Sequence, residues 1–393
     1  MKQRCYLSAL GIVNALGCGG NAISPKLFAG DTSGMVLEHG LLPASPARVG
    51  RVSSALLAIP SDMASFSCRN NQLLLSALKQ IENEIEFAMR RYGRARVGII
   101  LGTSTSGIAE AESAIAVKRR TGEMPSTYRY TQQEIGMTST FLARYLNLLG
   151  PAYTISTACT SSAKAFQSAR NLLRHNLCDA VIVGGADSLC QLTVNGFSSL
   201  ESTTSNLTNP MSRNRNGINI GEGAALFLMT REESEIELLG VGESSDAYHM
   251  SAPHPEGLGA EMAMRAAMND ATLKPDDIDY LNLHATATPK NDEMESRAVS
   301  RLFGDRTLVS GTKPLTGHTL GAAGATELAF CWLALQQGRI PPHIWDGEPD
   351  PDLPRLNLAG QGLPFAKTTG RVCMSNSFAF GGSNASLVIG DAR

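Results

Sequence analysis

Two series of apolar segments, separated by stretches with helical spacing, constrain the fold of this chain more than any other feature. The first series includes residues 96–102 and 179–186, and the second begins at 236 and includes 278–283. These segments are apolar along their length, which is typical of parallel strands covered by helices on both faces. The sequence therefore predicts an internally duplicated α/β protein, with halves at residues 1–235 and 236–393.

Three reactive residues stand close to the ends of predicted strands: Cys159, His284 and His318. Open parallel sheets place their sites beyond the carboxyl ends of the strands. Cys159 lies between a short β-branched run and a stretch with helical spacing, so we expect it at the tip of a strand-to-helix turn. Because helix amides and the helix dipole stabilise negative charge, we expect this cysteine to form a thiolate more readily than a free cysteine.

The residue types alone leave four interpretations open. All three residues could be structural, since cysteine is often buried and a single histidine at a strand end is more often structural than catalytic. A zinc site would usually contain closely spaced ligand pairs, which are absent here. A cysteine protease needs only one histidine, oriented by Asn or Asp. In thiol acyl transfer, Cys159 would hold an acyl group and two histidines would polarise a thioester carbonyl.

Charge and cysteine content exclude several classes of protein. The chain has 34 basic and 36 acidic residues, a balance that argues against a dedicated nucleic-acid binder. Eight cysteines without a C-x-x-C pair, and no signal peptide at the start of the sequence, indicate reduced thiols in a cytoplasmic protein. No apolar run approaches the about 18 residues of a membrane span. We expect neither a metal ion nor a cofactor.

Four motifs, in this order along the chain, resemble the signatures of β-ketoacyl-acyl carrier protein synthases. Each motif alone would be weak, but four in the family's order are specific, and the resemblance extends over nearly the whole chain. The resemblance implies the thiolase fold, in which two similar α/β halves stack as five layers, αβαβα, and the protein is a dimer. The motifs begin at Thr157 (Thr-Ala-Cys-Thr-Ser-Ser), His284 (His-Ala-Thr-Ala-Thr-Pro-Lys-Asn-Asp), Lys313 (Lys-Pro-Leu-Thr-Gly-His) and Asn376 (Asn-Ser-Phe-Ala-Phe-Gly-Gly-Ser-Asn).

The resemblance also implies a reaction, the decarboxylative Claisen condensation of an acyl-enzyme thioester with malonyl-acyl carrier protein. Cys159 would accept the acyl group. His284 and His318 would donate hydrogen bonds to the malonyl thioester carbonyl, which requires neutral imidazoles. The carbanion left by carbon dioxide would attack the acyl group, and the backbone N–H groups of Cys159 and Phe378 would hold the oxyanion. The acyl chain would grow by two carbons.

Other residues match supporting positions of the family. Lys313 and Glu327 match a pair that we expect to organise the two histidines, although a buried ion pair can also be purely structural. Phe378 matches the gating phenylalanine, with a plain core anchor as the alternative. Asp292 and Glu295 match acidic positions that we interpret as structural.

Several positions depart from the usual family pattern. Ala285 and Ala287 stand where the family has glycines; since alanine adopts a positive φ only at a cost, the turn has either ordinary dihedrals or a tighter pocket wall. The segments 103–107 and 209–217 also differ. These features resemble the synthases of aryl polyene and related type II polyketide-like clusters, in which a catalytic subunit can pair with a chain-length factor that lacks the histidines. This chain retains all three residues, so we expect the active subunit, in a homodimer or such a heterodimer.

Alternative functions remain at this point: a housekeeping fatty-acid synthase, a thiolase-like enzyme that uses coenzyme A, or a non-catalytic chain-length-factor subunit. Cys373 lies on a predicted strand and not in a glycine loop, which disfavours a thiolase. The intact Cys159 disfavours a non-catalytic subunit. Because acyl carrier proteins are acidic, we expect a basic rim at the pocket mouth, with a solvated charged face as the alternative. The candidates are Lys118, Arg119, Arg120 and Arg129.

Overall fold

Strands and helices alternate along most of the chain. The computed structural model describes residues 3–392. The strands are β1 (Tyr6–Asn14), β2 (Gly17–Cys18), β3 (Met35–Glu38), β4 (Ala47–Gly50), β5 (Val97–Gly102), β6 (Ala152–Ile155), β7 (Ala180–Asp187), β8 (Ile220–Gly221), β9 (Gly223–Thr230), β10 (Ile236–Ser245), β11 (Tyr280–Leu283), β12 (Leu308–Gly311), β13 (Asn357–Leu358), β14 (Val372–Phe378) and β15 (Ser383–Asp391). The helices are α1 (Gly20–Ala29), α2 (Arg69–Leu78), α3 (Glu82–Tyr92), α4 (Ile108–Thr121), α5 (Met137–Tyr145), α6 (Ser161–Arg174), α7 (Gln191–Ser199), α8 (Leu258–Ala271), α9 (Pro289–Phe303), α10 (Lys313–Thr316) and α11 (Ala323–Gln337).

The same strand order occurs twice in the main sheet. The first half runs β6-β5-β7-β9-β1, and the second half runs β12-β11-β14-β15-β10. In each half the fourth strand along this order, β9 or β15, is antiparallel to both of its neighbours, whereas the first three are parallel. The halves meet where β1 pairs with β10 at Tyr6 and Glu237. The prediction of a duplicated α/β fold is confirmed.

Helices cover both faces of each half-sheet and produce five layers. Helices α2 and α5 pack on the outer face of the first half, where Phe141 is fully buried. Helices α6 and α11 lie side by side between the half-sheets, where Phe166 and Phe330 are fully buried. Helices α8 and α9 cover the outer face of the second half with residues such as Met264 and Val299. Strands β5, β7 and β9 are buried at every position, because both of their faces are covered.

Two glycines allow the start of α6 to approach its neighbours closely. A Cβ on Gly102, at the end of β5, would lie 2.2 Å from the amide nitrogen of Ser162. A Cβ on Gly324, in the first turn of α11, would lie 2.7 Å from the Cβ of Ala163. The N-terminal ends of both middle-layer helices therefore converge beyond the carboxyl ends of the strands.

The structure also bears on membrane-spanning helices and on the state of the cysteines. Within residues 3–392, no helix is both long and apolar enough to cross a membrane. All eight cysteines are free thiols in this structure.

The middle layer should be the most sensitive part of the core. The Phe166 ring is fully buried and contacts the Phe227 ring edge-on, with 5.4 Å between the ring centroids. We expect Phe166→Ala to lower the free energy of unfolding by about 3–5 kcal/mol, because it leaves a cavity between the two half-sheets. Urea denaturation followed by circular dichroism measures this value. Phe87→Ala, on the surface of α3 where Phe87 is 52% exposed, should change it by less than about 0.5 kcal/mol. Equal losses would contradict the proposed importance of the middle layer.

Candidate active site

Cys159 lies at a sharp turn between β6 and α6, as the sequence predicts. Ala158, the residue before it, has a left-handed backbone with φ of 51°. The Ser161 hydroxyl stabilises this turn, because it donates to the Ala158 carbonyl at 2.6 Å and accepts from the Thr157 amide at 2.9 Å. Cys159 is only 6% exposed. The turn therefore holds the thiol in a fixed, nearly buried position at the start of α6.

His318 contacts the thiol directly. Its Nε2 atom lies 2.9 Å from Cys159 Sγ. The backbone of His318 is held by the end of the long segment that precedes β9: its amide donates to the Asn219 carbonyl at 2.8 Å, and its carbonyl accepts from the Gly221 amide at 2.9 Å. This segment, polar and rich in Ser, Thr and Asn, thus positions a residue of the second half against the nucleophile of the first.

His284 completes the group. Its ring lies 5.3 Å from the His318 ring, centroid to centroid, and the two planes are nearly perpendicular at 87°. Cys159 Sγ and one ring nitrogen of each histidine all lie within 4.8 Å of one another. The structure therefore brings together the three residues that the sequence singled out, although 125 positions separate Cys159 from His284 along the chain.

Lys313 and Glu327 form a buried ion pair beside His284. The Lys313 Nζ atom lies 2.5 Å from Glu327 Oε1 and 3.4 Å from His284 Nδ1, and it also donates to the His284 carbonyl. Burial raises the pKa of the Glu327 carboxyl to about 7, while the Lys313 charge acts in the opposite direction. The ammonium group thus holds the backbone of one histidine and places a positive charge close to both rings.

The two imidazoles are neutral at ordinary pH. Burial, and then the Lys313 charge, lower the pKa of His284 and of His318 well below 6.5. Cys159 shifts in the direction opposite to our expectation: burial raises the pKa of its thiol to about 12, and the nearby Lys313 charge offsets this only in part. The prediction of a readily formed thiolate is therefore wrong, since the cost of burying a charge exceeds the stabilisation by Lys313 and the nearby amides.

The turn after His284 is strained and held by carboxylates. Ala285 and Ala287 have φ of 40° and 60°, so the alternative of ordinary dihedrals is wrong. Glu295 accepts hydrogen bonds from the amides of His284 and Ala285, both at 2.7 Å, and Asp292 accepts one from Ala287 at 3.1 Å. Both carboxylates come from α9 and are fully buried. They offset the strain of two alanines in a conformation that favours glycine.

The structure places Phe378, and the neighbouring Phe380, differently from the role expected of Phe378. Phe378 packs its ring against His284, 6.0 Å between centroids, as a wall of the site. The backbone amides that lower the pKa of the Cys159 thiol are those of Phe380 and of Cys159 itself. The Phe380 ring packs 5.2 Å from that of Phe197. The oxyanion donor expected from Phe378 is thus better placed at Phe380, and the glycine pair that follows Phe380, with φ of 87° and 75°, was the signal for it.

A cavity of about 300 Å³ opens onto the three reactive residues. Its size is that of a pocket for a small ligand or the arm of a larger one. The four residues expected to form a basic rim do not line it: Lys118, Arg119 and Arg120 are exposed at the last turn of α4, and Arg129 lines a separate cavity beside α4. The lining of the reactive cavity includes Thr286, Thr288, Asn291, Ser251, Phe197, Leu200, Glu201, Lys290 and Phe380.

A thiol at a helix start that faces two neutral imidazoles, in a duplicated five-layer α/β fold, defines an acyl-transferring enzyme of the thiolase fold. The family profile "Beta-ketoacyl synthase, N-terminal domain" matches residues 44–235, and "Beta-ketoacyl synthase, C-terminal domain" matches residues 236–345. The chain belongs to the β-ketoacyl synthase family.

Relatives that match most of the chain agree with this assignment. The chain is 30% identical to 3-oxoacyl-[acyl-carrier-protein] synthase 2 of Coxiella burnetii, over 99% of this chain and 98% of the relative. It is 33% identical to nodulation protein E of Rhizobium meliloti, over 74% and 75% of the two chains. Among solved structures, the ketosynthase ApeO of Xenorhabdus doucetiae, in complex with its chain length factor ApeC, is 46% identical with a TM-score of 0.96, over 99% and 98% of the chains. The protein is therefore a ketosynthase, an acyltransferase.

The Glu295 carboxylate should be needed to keep His284 in place. In Glu295→Gln, a side-chain N–H₂ group faces one of the two amides that the carboxylate now accepts, so the turn should shift. A misplacement of about 1 Å can cost ~10² in rate, and we expect a loss of that order in ketosynthase turnover. The matched control is Glu293→Gln on the same helix, where the side chain is 44% exposed and pairs with Arg297. Steady-state kinetics on both folded variants decide the matter, and equal activity of the two would contradict a role for Glu295.

Proposed function

We propose that this chain is the catalytic ketosynthase of an aryl polyene or related type II system. In this proposal it elongates an acyl chain by two carbons through decarboxylative Claisen condensation with malonyl-acyl carrier protein. The carrying observation is the contact of Cys159 with a neutral His318, next to a neutral His284, in one cavity. The placement among polyene-type systems is supported by 46% identity to ApeO, against 30% to the fatty-acid relative from Coxiella burnetii.

Acyl loading is the first step of the proposed cycle. The Cys159 sulfur attacks the carbonyl carbon of an acyl-carrier thioester, and His318 Nε2, 2.9 Å away, takes the thiol proton. The amides of Cys159 and Phe380 hold the oxyanion of the tetrahedral intermediate. Its collapse breaks the carbon–sulfur bond to the carrier, and the departing thiolate takes the proton back from His318. A high thiol pKa makes this coupled proton transfer necessary, because little thiolate is present beforehand.

Decarboxylation and condensation follow on the same histidines. Before this step the ring proton of His318 moves from Nδ1 to Nε2, so that the Nε2–H groups of the neutral His284 and His318 both donate to the carbonyl oxygen of malonyl-carrier thioester. They stabilise the enolate that forms when carbon dioxide leaves and the electron pair of the broken carbon–carbon bond stays behind. The enolate carbon then attacks the acyl carbon on Cys159, and the bond from that carbon to sulfur breaks. The sulfur leaves as a thiolate and takes one proton from water, so the products are a 3-oxoacyl-carrier thioester and a free thiol.

Lys313 and Glu327 support the histidines in this proposal. The Lys313 ammonium group opposes protonation of both rings, since a second positive charge in the buried site would be repelled. Glu327 in its ionised form balances that ammonium, with 2.5 Å between Lys313 Nζ and Glu327 Oε1. The pair therefore keeps the imidazoles in the form that donates hydrogen bonds without adding net charge to the cavity.

We also propose how the chain is organised and where it acts. Halves at residues 1–235 and 236–393 are supported by the repeated strand order. Strand β6 is an edge of the sheet, with Tyr153 39% exposed there, and it offers a surface for a second chain. The preferred partner is a related chain-length factor, as ApeO has in its complex, with a second copy of this chain as the alternative. Eight free thiols support action in the cytoplasm.

Three variants separate the two half-reactions. Cys159→Ala should abolish acyl loading and leave malonyl decarboxylation measurable. His284→Ala should stop decarboxylation and leave loading, because His284 does not contact the sulfur. His318→Ala should impair both, with loading slowed ~10²–10⁴-fold by loss of the base. Mass spectrometry of the protein after incubation with a panel of acyl-carrier thioesters measures loading and identifies the preferred chain. Cys178→Ala, a buried cysteine outside the site, is the control. Normal loading of Cys159→Ala would overturn the proposal.

The pH dependence of decarboxylation tests the protonation state of the imidazoles. Since the pKa of each ring is lowered, protonation occurs only well below pH 6.5, and the donating neutral form persists above it. We expect decarboxylation by Cys159→Ala to stay level as the pH falls from 8 to 6, near the ordinary histidine pKa of about 6.5. Carbon dioxide release, corrected for malonyl-carrier thioester without enzyme, measures this. A decline centred near pH 6.5 that remains in Glu327→Gln, which removes the carboxyl with a pKa of about 7, would show ordinary histidines.

A further inference from the structure

A buried carboxylate outside the reactive cavity connects two segments, one leading to Cys159 and the other to His318. Asp187 is the last residue of β7 and is fully buried. Its Oδ1 atom accepts four hydrogen bonds from the turn after β5: from the Thr103 hydroxyl and the Ser104 amide, each at 2.8 Å, and from the Thr105 amide and hydroxyl, each at 2.7 Å. Its Oδ2 atom accepts one from the Ala322 amide at 3.0 Å. A single carboxylate thus holds two segments that are distant in sequence.

The first of these segments leads to the nucleophile. Ser104, whose amide Asp187 holds, donates its hydroxyl to the Ala158 carbonyl at 3.3 Å. Ala158 is the left-handed residue directly before Cys159, and its carbonyl also receives the Ser161 hydroxyl at 2.6 Å. The backbone of the nucleophile turn is therefore tied to the turn after β5, whose shape depends on Asp187.

The second segment leads to the base. Ala322 closes the short turn Leu320–Ala322, which begins two residues after His318 and ends where α11 begins. Gly321 lets this turn lie against the same group, since a Cβ there would be 2.8 Å from Asp187 Oδ2 and 2.7 Å from the Ser104 hydroxyl oxygen. The His318 turn and the Cys159 turn consequently share one anchor, on the side opposite the cavity.

We propose that Asp187 is a positioning residue that sets the distance between Cys159 and His318. It touches neither of them, and it acts through Ser104 on one side and Ala322 on the other. The polar turn Thr103-Ser104-Thr105, which departs from the glycine-rich pattern of the family, supplies four of the five donors to its carboxylate. This inference rests on the proposed roles of Cys159 as nucleophile and His318 as base.

Asp187→Asn separates the two anchors with little change in volume. The Asn oxygen can keep the four donors of the turn after β5. Its N–H₂ group then faces the Ala322 amide, and because both groups are donors, that hydrogen bond is lost. We expect kcat for condensation to fall at least about 10-fold, because a misplacement of about 1 Å can cost ~10², with KM for acyl-carrier thioester within twofold of wild type. We also expect slower alkylation of Cys159 by iodoacetamide, measured without acyl substrate by mass spectrometry of its peptide.

Two further variants keep the test decisive. Asp179→Asn is the matched control: this carboxylate lies at the opposite end of the same strand and pairs with Arg96 and Arg231. It should leave kcat and the alkylation rate of the folded enzyme unchanged. Ser104→Ala keeps the carboxylate and removes only the hydroxyl that reaches Ala158, so it should slow alkylation of Cys159 even where Asp187→Asn folds poorly.

The outcomes distinguish the inference from the proposed function. Wild-type alkylation of Cys159 in both Asp187→Asn and Ser104→Ala would overturn the positioning role. An equal loss of kcat in Asp187→Asn and in the control Asp179→Asn would also overturn it, because the loss would then not depend on the position of the carboxylate. Normal condensation by Cys159→Ala would instead overturn the proposed function, whatever Asp187 does to the reactivity of the thiol.

Discussion

The contact between Cys159 Sγ and His318 Nε2, 2.9 Å long, is the interaction on which the rest of this structure depends. It joins a residue of the first half to a residue of the second, so it exists only when the two halves are packed in one arrangement. Helices α6 and α11, which begin just after these residues, lie against each other in the middle layer. Their close approach at Gly324 and Ala163 fixes the separation of the two turns. Core packing and the reactive geometry are therefore the same constraint.

Burial sets the chemistry of this contact. Removal from water raises the pKa of the thiol and lowers the pKa of both imidazoles. All three groups are therefore neutral before a charged substrate binds. A thiol in this state reacts only when its proton has somewhere to go, and the imidazole in contact provides that place. The buried Lys313 ammonium beside the site pairs with Glu327 and opposes protonation of both rings.

The sequence predicted what depends on local pattern and missed what depends on contacts distant along the chain. The apolar strands and the turn at Cys159 follow from neighbouring residues. The left-handed Ala285 and Ala287 do not, because carboxylates from a separate helix offset their strain. Asp187 was missed for the same reason: its partners lie 84 and 135 positions away, at Thr103 and Ala322. The oxyanion amide was assigned to Phe378 instead of Phe380, because the spacing of residues does not determine which amide of this loop lies close to the sulfur.

The repeated strand order explains why the reactive residues lie where they do. In the first half, β6 leads through Cys159 into α6; in the second half, the equivalent strand β12 leads through His318 into α11. Likewise β5 leads to the turn at Thr103, and its equivalent β11 leads to His284. Corresponding positions of the two halves thus face each other across the middle layer, and each carries a different group. One half supplies the nucleophile and the other supplies the imidazoles, so neither half alone contains a working site. The duplicated fold uses the same strand-to-helix connection in both halves, and these two connections bring the sulfur of Cys159 and the Nε2 atom of His318 into contact.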